Sequence, residues 1–189
     1  MINAVLKVDK IYPMTKKLLI LSDLWGREKA DWLKYYSEPL GEAFEIQYYD
    51  CCKLGGVDKS VYTEEALHAQ FVGGGIERAV EKLLDVEKEE VSVLAFSIGG
   101  TIAWKAGLNG LKINTLFAIS STRLRREAQK PPCQVNLYFG EEDQFKPSAD
   151  WFEELKLSRT LVKGKGHLIY TESEFAHLVS KRLSKDVIF

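Results

Sequence analysis

Short apolar runs rich in β-branched and aromatic residues alternate with amphipathic stretches along nearly the whole chain. Lys17 to Leu21, Phe44 to Tyr49, Val91 to Phe96, Ile113 to Ile119, Val135 to Phe139 and Thr160 to Val162 read as strands. The first helical stretch, Arg27 to Tyr36, sets Ala30, Leu33 and Tyr36 at helical spacing and should end before Pro39. After a loop marked by Gly55 and Gly56, Thr63 opens a helix through Leu67 and Phe71. Gly73, Gly74 and Gly75 interrupt or bend it before Ile76, Val80, Leu83 and Leu84 resume the apolar stripe. Gly99 to Ala106 has the small and apolar spacing of a helix packed closely on a sheet. Ser148 to Leu155 reads as a short helix, and Glu172 to Leu183 as a terminal one with Phe175, Leu178, Val179 and Leu183 on one face. Six strands separated by helices predict an α/β fold, a three-layer αβα sandwich around a mostly parallel sheet with right-handed crossovers. No repeat, low-complexity segment or linker divides the chain, so residues 1–189 are read as a single domain.

Composition narrows the function classes only a little. The apolar share of 46% and charged share of 28% are those of an ordinary globular protein, and a net charge of -1 gives no electrostatic reason to expect nucleic acid. The N-terminal stretch MINAVLKVDKIYPMTKK scatters charge through its apolar residues, unlike a secretory leader. Leu18 to Leu21 is too short to span a bilayer. A cytoplasmic protein without a membrane partner is the expectation. Cys51, Cys52 and Cys133 lack the spaced Cys/His partners of a zinc site, so no metal is expected. They read as reduced thiols, the adjacent pair standing as a weaker candidate for redox chemistry. The glycine triplet follows no strand and precedes no Lys-Ser/Thr pair, which argues for helix packing or a hinge rather than a phosphate loop. Nothing calls for a cofactor.

Chemistry in a doubly wound sheet belongs at the carboxyl ends of the strands. Three reactive side chains lie there: Ser97 after the third strand, Asp143 after the fifth and His167 after the sixth. Ser97 stands between an apolar strand and a small-residue helix, with Ala95 and Gly99 two residues away on either side. A strand that becomes a helix within so few residues strains its pivot and pushes that side chain into the open. The same serine could merely cap the helix. A hydroxyl nucleophile needs a base, and an imidazole base needs a carboxylate to fix its tautomer. Alone, His167 would read as a structural histidine; with Ser97 and Asp143 at matching positions it reads as that base. Glu141 and Glu142 read as solvated turn residues, and His68 and His177 as surface or packing residues. Arg123, Arg125 and Arg126 form a solvated charge run by default, although their segment also leaves the carboxyl end of a strand.

The order Ser, Asp, His on those strands resembles the α/β-hydrolase family over nearly the whole chain from about Lys17. Ala95-Phe96-Ser97-Ile98-Gly99-Gly100 is similar to its nucleophile elbow, Gly140 to Pro147 to its acid loop, and Gly164 to His167 to its histidine loop. Asp50 with Gly55 and Gly56 resembles a structural turn of the family. What the resemblance implies is a minimal α/β-hydrolase fold and a Ser97-His167-Asp143 triad. The oxyanion hole would come from the backbone N–H groups of Leu24 and Ile98. Trp25 would serve as pocket wall or core, and one of the arginines, with Arg123 as the candidate, would hold an anionic part of the substrate. The departures are Ala95 in place of the first elbow glycine and Ser22-Asp23 where many relatives carry His-Gly. A carboxylate aimed at the oxyanion would oppose its charge, whereas one pointing away would hold the loop. Ser120 to Pro132 is too short for a helical lid domain, and the short N-terminus implies loss of one or both strands that precede the parallel core in larger relatives. The resemblance thus implies a serine hydrolase for a small soluble ester or thioester, with no cofactor and a small-molecule acyl substrate as its partner. The alternative is a non-catalytic module of the same fold that binds a small ligand or a protein.

Overall fold

In the computed structural model the backbone is described for residues 16–188 and side chains for residues 16–185. The N-terminal stretch read above for a leader lies mostly outside them. Six parallel strands, β1 (Lys16–Leu21), β2 (Phe44–Tyr49), β3 (Val91–Phe96), β4 (Ile113–Ile119), β5 (Gln134–Gly140) and β6 (Thr160–Val162), form one sheet in the order β2-β1-β3-β4-β5-β6. Seven α-helices accompany them among the described residues: α1 (Lys34–Leu40), α2 (Cys51–Gly55), α3 (Glu64–Gln70), α4 (Ile76–Val86), α5 (Ile98–Leu108), α6 (Ala149–Glu154) and α7 (Ser173–Ile188). The order reverses at β1 and β3, which places a topological switch point beside the carboxyl end of β3, where Ser97 stands.

Alternation along the strands sorts the core into two layers. Leu19, Leu21, Val93 and Ala95 face α2 through α6, while Leu18, Ile20, Leu94 and Phe96 face α1 and α7. β3 is buried along its whole length, as its apolar run requires. α5 is buried at nearly every position, so its small residues let it lie close against the sheet.

Local differences from the sequence reading have tertiary causes. The stretch 27–36 is two 3-10 turns, Gly26–Lys29 and Asp31–Leu33, followed by α1. Long-range and local bonds override its helical spacing, since the Arg27 amide donates to Asp50 at 3.0 Å and the Trp32 indole N–H to the Lys29 carbonyl at 3.0 Å. Pro39 lies within the last turn of α1 rather than beyond it, and the helix ends one residue later at Leu40. The expected loop at Gly55 is the short helix α2, capped at its start by Asp50 and at its end by Gly56 with φ 59. Between α3 and α4 the glycine triplet forms a π-type turn, Phe71–Gly75, kinked at Gly74 with φ 107. On α7 the buried face is Phe175, Ala176, Val179 and Leu183, while Leu178 is exposed. Between β4 and β5 runs a 3-10 turn, Thr122–Arg126, in place of an inserted domain. No helix among the described residues is long and apolar enough to cross a membrane.

Candidate active site

The elbow is built by close packing. Ser97 has φ 49 and ψ -115, a conformation that an L residue adopts at a cost of about 1–3 kcal/mol. It is held there from both sides: its amide donates to the Ile119 carbonyl at 2.8 Å, and the first turn of α5 is wedged against β1 and β4. A Cβ at Gly99 would collide with the Ser22 carbonyl, and one at Gly100 with the Ser121 hydroxyl. Only glycine admits so tight an approach.

A second close approach joins the acid and histidine loops. A Cβ at Gly140 would collide with the Lys165 and Gly166 carbonyls. The Glu141 amide donates to the Val162 carbonyl and the Glu142 amide to that of Lys165, each at 2.9 Å. The two loops therefore leave β5 and β6 as one bonded unit, carrying Asp143 and His167.

Ser97, His167 and Asp143 come together as a hydrogen-bonded chain. Ser97 Oγ lies 3.1 Å from His167 Nε2, and His167 Nδ1 lies 2.7 Å from Asp143 Oδ2. A neutral imidazole with its proton on Nδ1 donates to the carboxylate and presents its Nε2 lone pair to the serine hydroxyl. Asp143 is buried, and its other oxygen accepts the Phe145 amide at 3.0 Å. Burial pushes the Asp143 carboxyl up, but the bonds from His167 and Phe145 and the nearby positive charge outweigh it and hold the group below its ordinary value. It stays ionised. Ser97 and His167 are half-buried, reachable from solvent beside the exposed side chains of Phe145 and Leu168.

The loop after β1 settles the question posed by Asp23. Its carboxylate is buried, accepting the Trp25 amide on Oδ1 at 2.9 Å and the Tyr170 hydroxyl on Oδ2 at 3.1 Å. It holds its own loop. Burial raises its pKa from 3.8 to about 6, with the Trp25 and Tyr170 bonds partly offsetting that rise. In this turn the Trp25 amide is taken by the Asp23 carboxylate and the Gly26 amide by the Asp23 carbonyl, whereas the Leu24 amide has no partner among the described residues. The Ile98 amide, at the first position of α5, is likewise without a partner among the described residues.

Asp50 braces this loop from below. Its carboxylate accepts the Arg27 and Lys53 amides at 3.0 and 3.1 Å, and only a glycine at position 26, with φ 69, leaves it room. Cys51 and Cys52 are buried, and their thiols donate separately to the Ser22 and Leu24 carbonyls at 3.0 and 3.1 Å. Burial raises both thiols, Cys52 to about 12, which disfavours the thiolate that redox exchange requires.

The expected pocket residues have different surroundings. Trp25 is half-buried, packed edge-on against Tyr62 at 5.4 Å under the Lys29 ammonium at 3.5 Å from its ring. Arg123 is half-buried on the 3-10 turn. It is Arg125 that reaches the acid loop, donating to the Thr122 and Phe145 carbonyls at 2.8 and 3.3 Å. Tyr170 is absent from the sequence-derived site although it shares one turn with His167; it closes the apolar run Leu168-Ile169-Tyr170, a pattern that marks packing rather than chemistry. A cleft of about 480 Å³ lined by Ile20, Arg27, Leu33 and Tyr48 lies by β1 and β2, and no triad residue lines it.

No protein-family model and no curated protein matches the sequence. Solved structures do match it. A dienelactone hydrolase-like promiscuous phosphotriesterase from metagenomic libraries aligns with TM-score 0.68 at 14% identity, covering 91% of this chain and 85% of that one. The alpha/beta hydrolase domain-containing protein 10 of mouse aligns with TM-score 0.65 at 14% identity, over 92% and 90%. Est1E of Butyrivibrio proteoclasticus, with ferulic acid bound, aligns with TM-score 0.62 at 13% identity, over 95% and 91%.

Proposed function

The chain has the α/β-hydrolase fold, and from that premise we propose a serine hydrolase acting on a small soluble ester or thioester through an acyl-enzyme intermediate. The observation that carries the reading is the hydrogen-bonded chain from Ser97 through His167 to Asp143, mounted on a strained elbow at the switch point of the sheet. In this reading His167 takes the hydroxyl proton as Ser97 Oγ adds to the acyl carbonyl, and Asp143 stabilises the resulting imidazolium. The tetrahedral oxyanion is received by the Leu24 and Ile98 amides, at a helix N-terminus whose dipole favours negative charge. Collapse expels the alcohol or thiol, which takes the proton from His167. Water, deprotonated by the same imidazole, then adds to the acyl-enzyme and releases the acid.

The short connection between β4 and β5 and the exposure of Phe145 and Leu168 beside the triad support an open, shallow site. Trp25 and Arg123 are the candidates for contact with the substrate, Arg123 for an anionic part of it. Hydrolysis of p-nitrophenyl acetate, butyrate and palmitate tests both parts of the reading. Acetate and butyrate should be turned over well ahead of palmitate, and Ser97→Ala should abolish turnover while leaving the fold intact. Wild-type activity in purified Ser97→Ala would remove the nucleophile assignment, and a preference for palmitate would remove the open site.

A further inference from the structure

Tyr170 lies among the loop after β1, the end of β3 and the turn that carries His167. Its hydroxyl donates to Asp23 Oδ2 at 3.1 Å, and its carbonyl accepts the Tyr36 hydroxyl at 2.9 Å. Its ring packs on Phe96, the residue before the nucleophile, at 5.6 Å, on Trp32 at 4.9 Å and edge-on to the His167 imidazole at 6.1 Å. Tyr170 and His167 also share the 3-10 turn His167–Thr171. At the other end of the bond, Asp23 accepts the Trp25 amide and so fixes the turn that presents the neighbouring Leu24 amide, which has no partner among the described residues.

We propose that Asp23 and Tyr170 are positioning residues that lock the oxyanion loop to the turn carrying His167, so that the Leu24 donor and the imidazole base are held in one fixed relation. The inference rests on the serine-hydrolase reading above. A buried carboxylate and a buried phenol satisfy each other here, and each also fixes a backbone segment that the reaction uses. Misplacing either segment by a fraction of an ångström weakens interactions made in the transition state more than those made with the bound ester, so the loss falls on kcat. What matters in this arrangement is the bond rather than the charge. An asparagine at position 23 can still accept the Trp25 amide and can donate to the Tyr170 oxygen.

Steady-state kinetics on p-nitrophenyl acetate separates the possibilities. Asp23→Ala should lower kcat at least tenfold with KM within about twofold of wild type, and Asp23→Asn should restore kcat to within about threefold of it. Tyr170→Phe keeps the packed ring and should reproduce the Ala loss. It also tests the same bond if Asp23→Ala does not fold. Combined with Asp23→Ala it should add no further loss, because both remove one connection. Unchanged kcat in Tyr170→Phe, losses that multiply in the double variant, losses confined to KM, or an Asn variant as impaired as Ala would each overturn the proposal. An active wild type with an inactive Ser97→Ala, alongside any of those results, sinks the positioning role alone. An active Ser97→Ala sinks the hydrolase reading beneath it.

Discussion

Asp23→Asn offers a thermodynamic prediction whose size follows from burial. The Asp23 carboxyl is raised from 3.8 to about 6, chiefly by loss of solvent around a side chain that the fold leaves buried. A shift of about two units corresponds to about 3 kcal/mol of differential stability between the protonated and ionised forms. The sign is fixed by which state holds the proton more tightly. Because the folded state does, this group's stabilising contribution is complete below about pH 3.8 and is lost as pH rises through about 6. Roughly 2 kcal/mol of that loss falls between about pH 4.5 and 7.5 by the same linkage. An asparagine does not titrate, so the stability of Asp23→Asn relative to wild type should rise by about 2 kcal/mol over that interval. Urea unfolding of both proteins at several pH values measures it. Taking the difference between the two cancels the opposite trend from Asp143, whose depressed pKa stabilises the fold above its unfolded value and ceases to do so as pH falls. A difference that stays flat within about 0.5 kcal/mol, or that shrinks as pH rises, would refute the claim that Asp23 is buried as an ionised group near neutrality.

Other outcomes follow from the same geometry. Gly99→Ala should destabilise the protein by about 1–3 kcal/mol in urea unfolding, because its methyl group meets the Ser22 carbonyl; a variant as stable as wild type would mean that α5 can move off β1. Asp143→Asn should reduce kcat on p-nitrophenyl acetate by about 10³–10⁴, since it no longer fixes the imidazole tautomer, and a loss below tenfold would count against Asp143 as the acid. Native thiol titration should leave Cys51 and Cys52 unreacted until denaturant is added, as both are buried with raised pKa values. Rapid labelling of the pair in folded protein would revive the redox alternative.

The fold was legible where periodicity and burial agree. β3 reads as a continuous apolar run because both of its faces are covered, and the Ser-x-Gly turn behind it reads from the size of its residues alone. Asp143 and His167 could be placed past strand ends because strand counting locates those ends, and there His167 bonds both Asp143 and Ser97. What stayed hidden depends on contacts between distant segments. The stretch 27–36 has helical spacing, yet bonds to Asp50 and packing of Trp32 break it into 3-10 turns. Leu178 sits three residues after Phe175 but faces solvent, because the contact stripe of α7 follows Ala176 and Val179. The orientation of Asp23 was open for the same reason: its partner Tyr170 lies 147 positions away. A pattern of residue types contains no sign of that pairing.

The central claim is that Ser97 is an activated nucleophile. Intact-protein and peptide mass spectrometry after exposure to a fluorophosphonate probe tests it most directly. The account predicts one adduct per chain, on Ser97, lost in Ser97→Ala and slowed at least a hundredfold in His167→Ala. Folded wild-type protein that takes up no probe, or that is labelled at another residue, would contradict it and favour a ligand-binding module of the same fold.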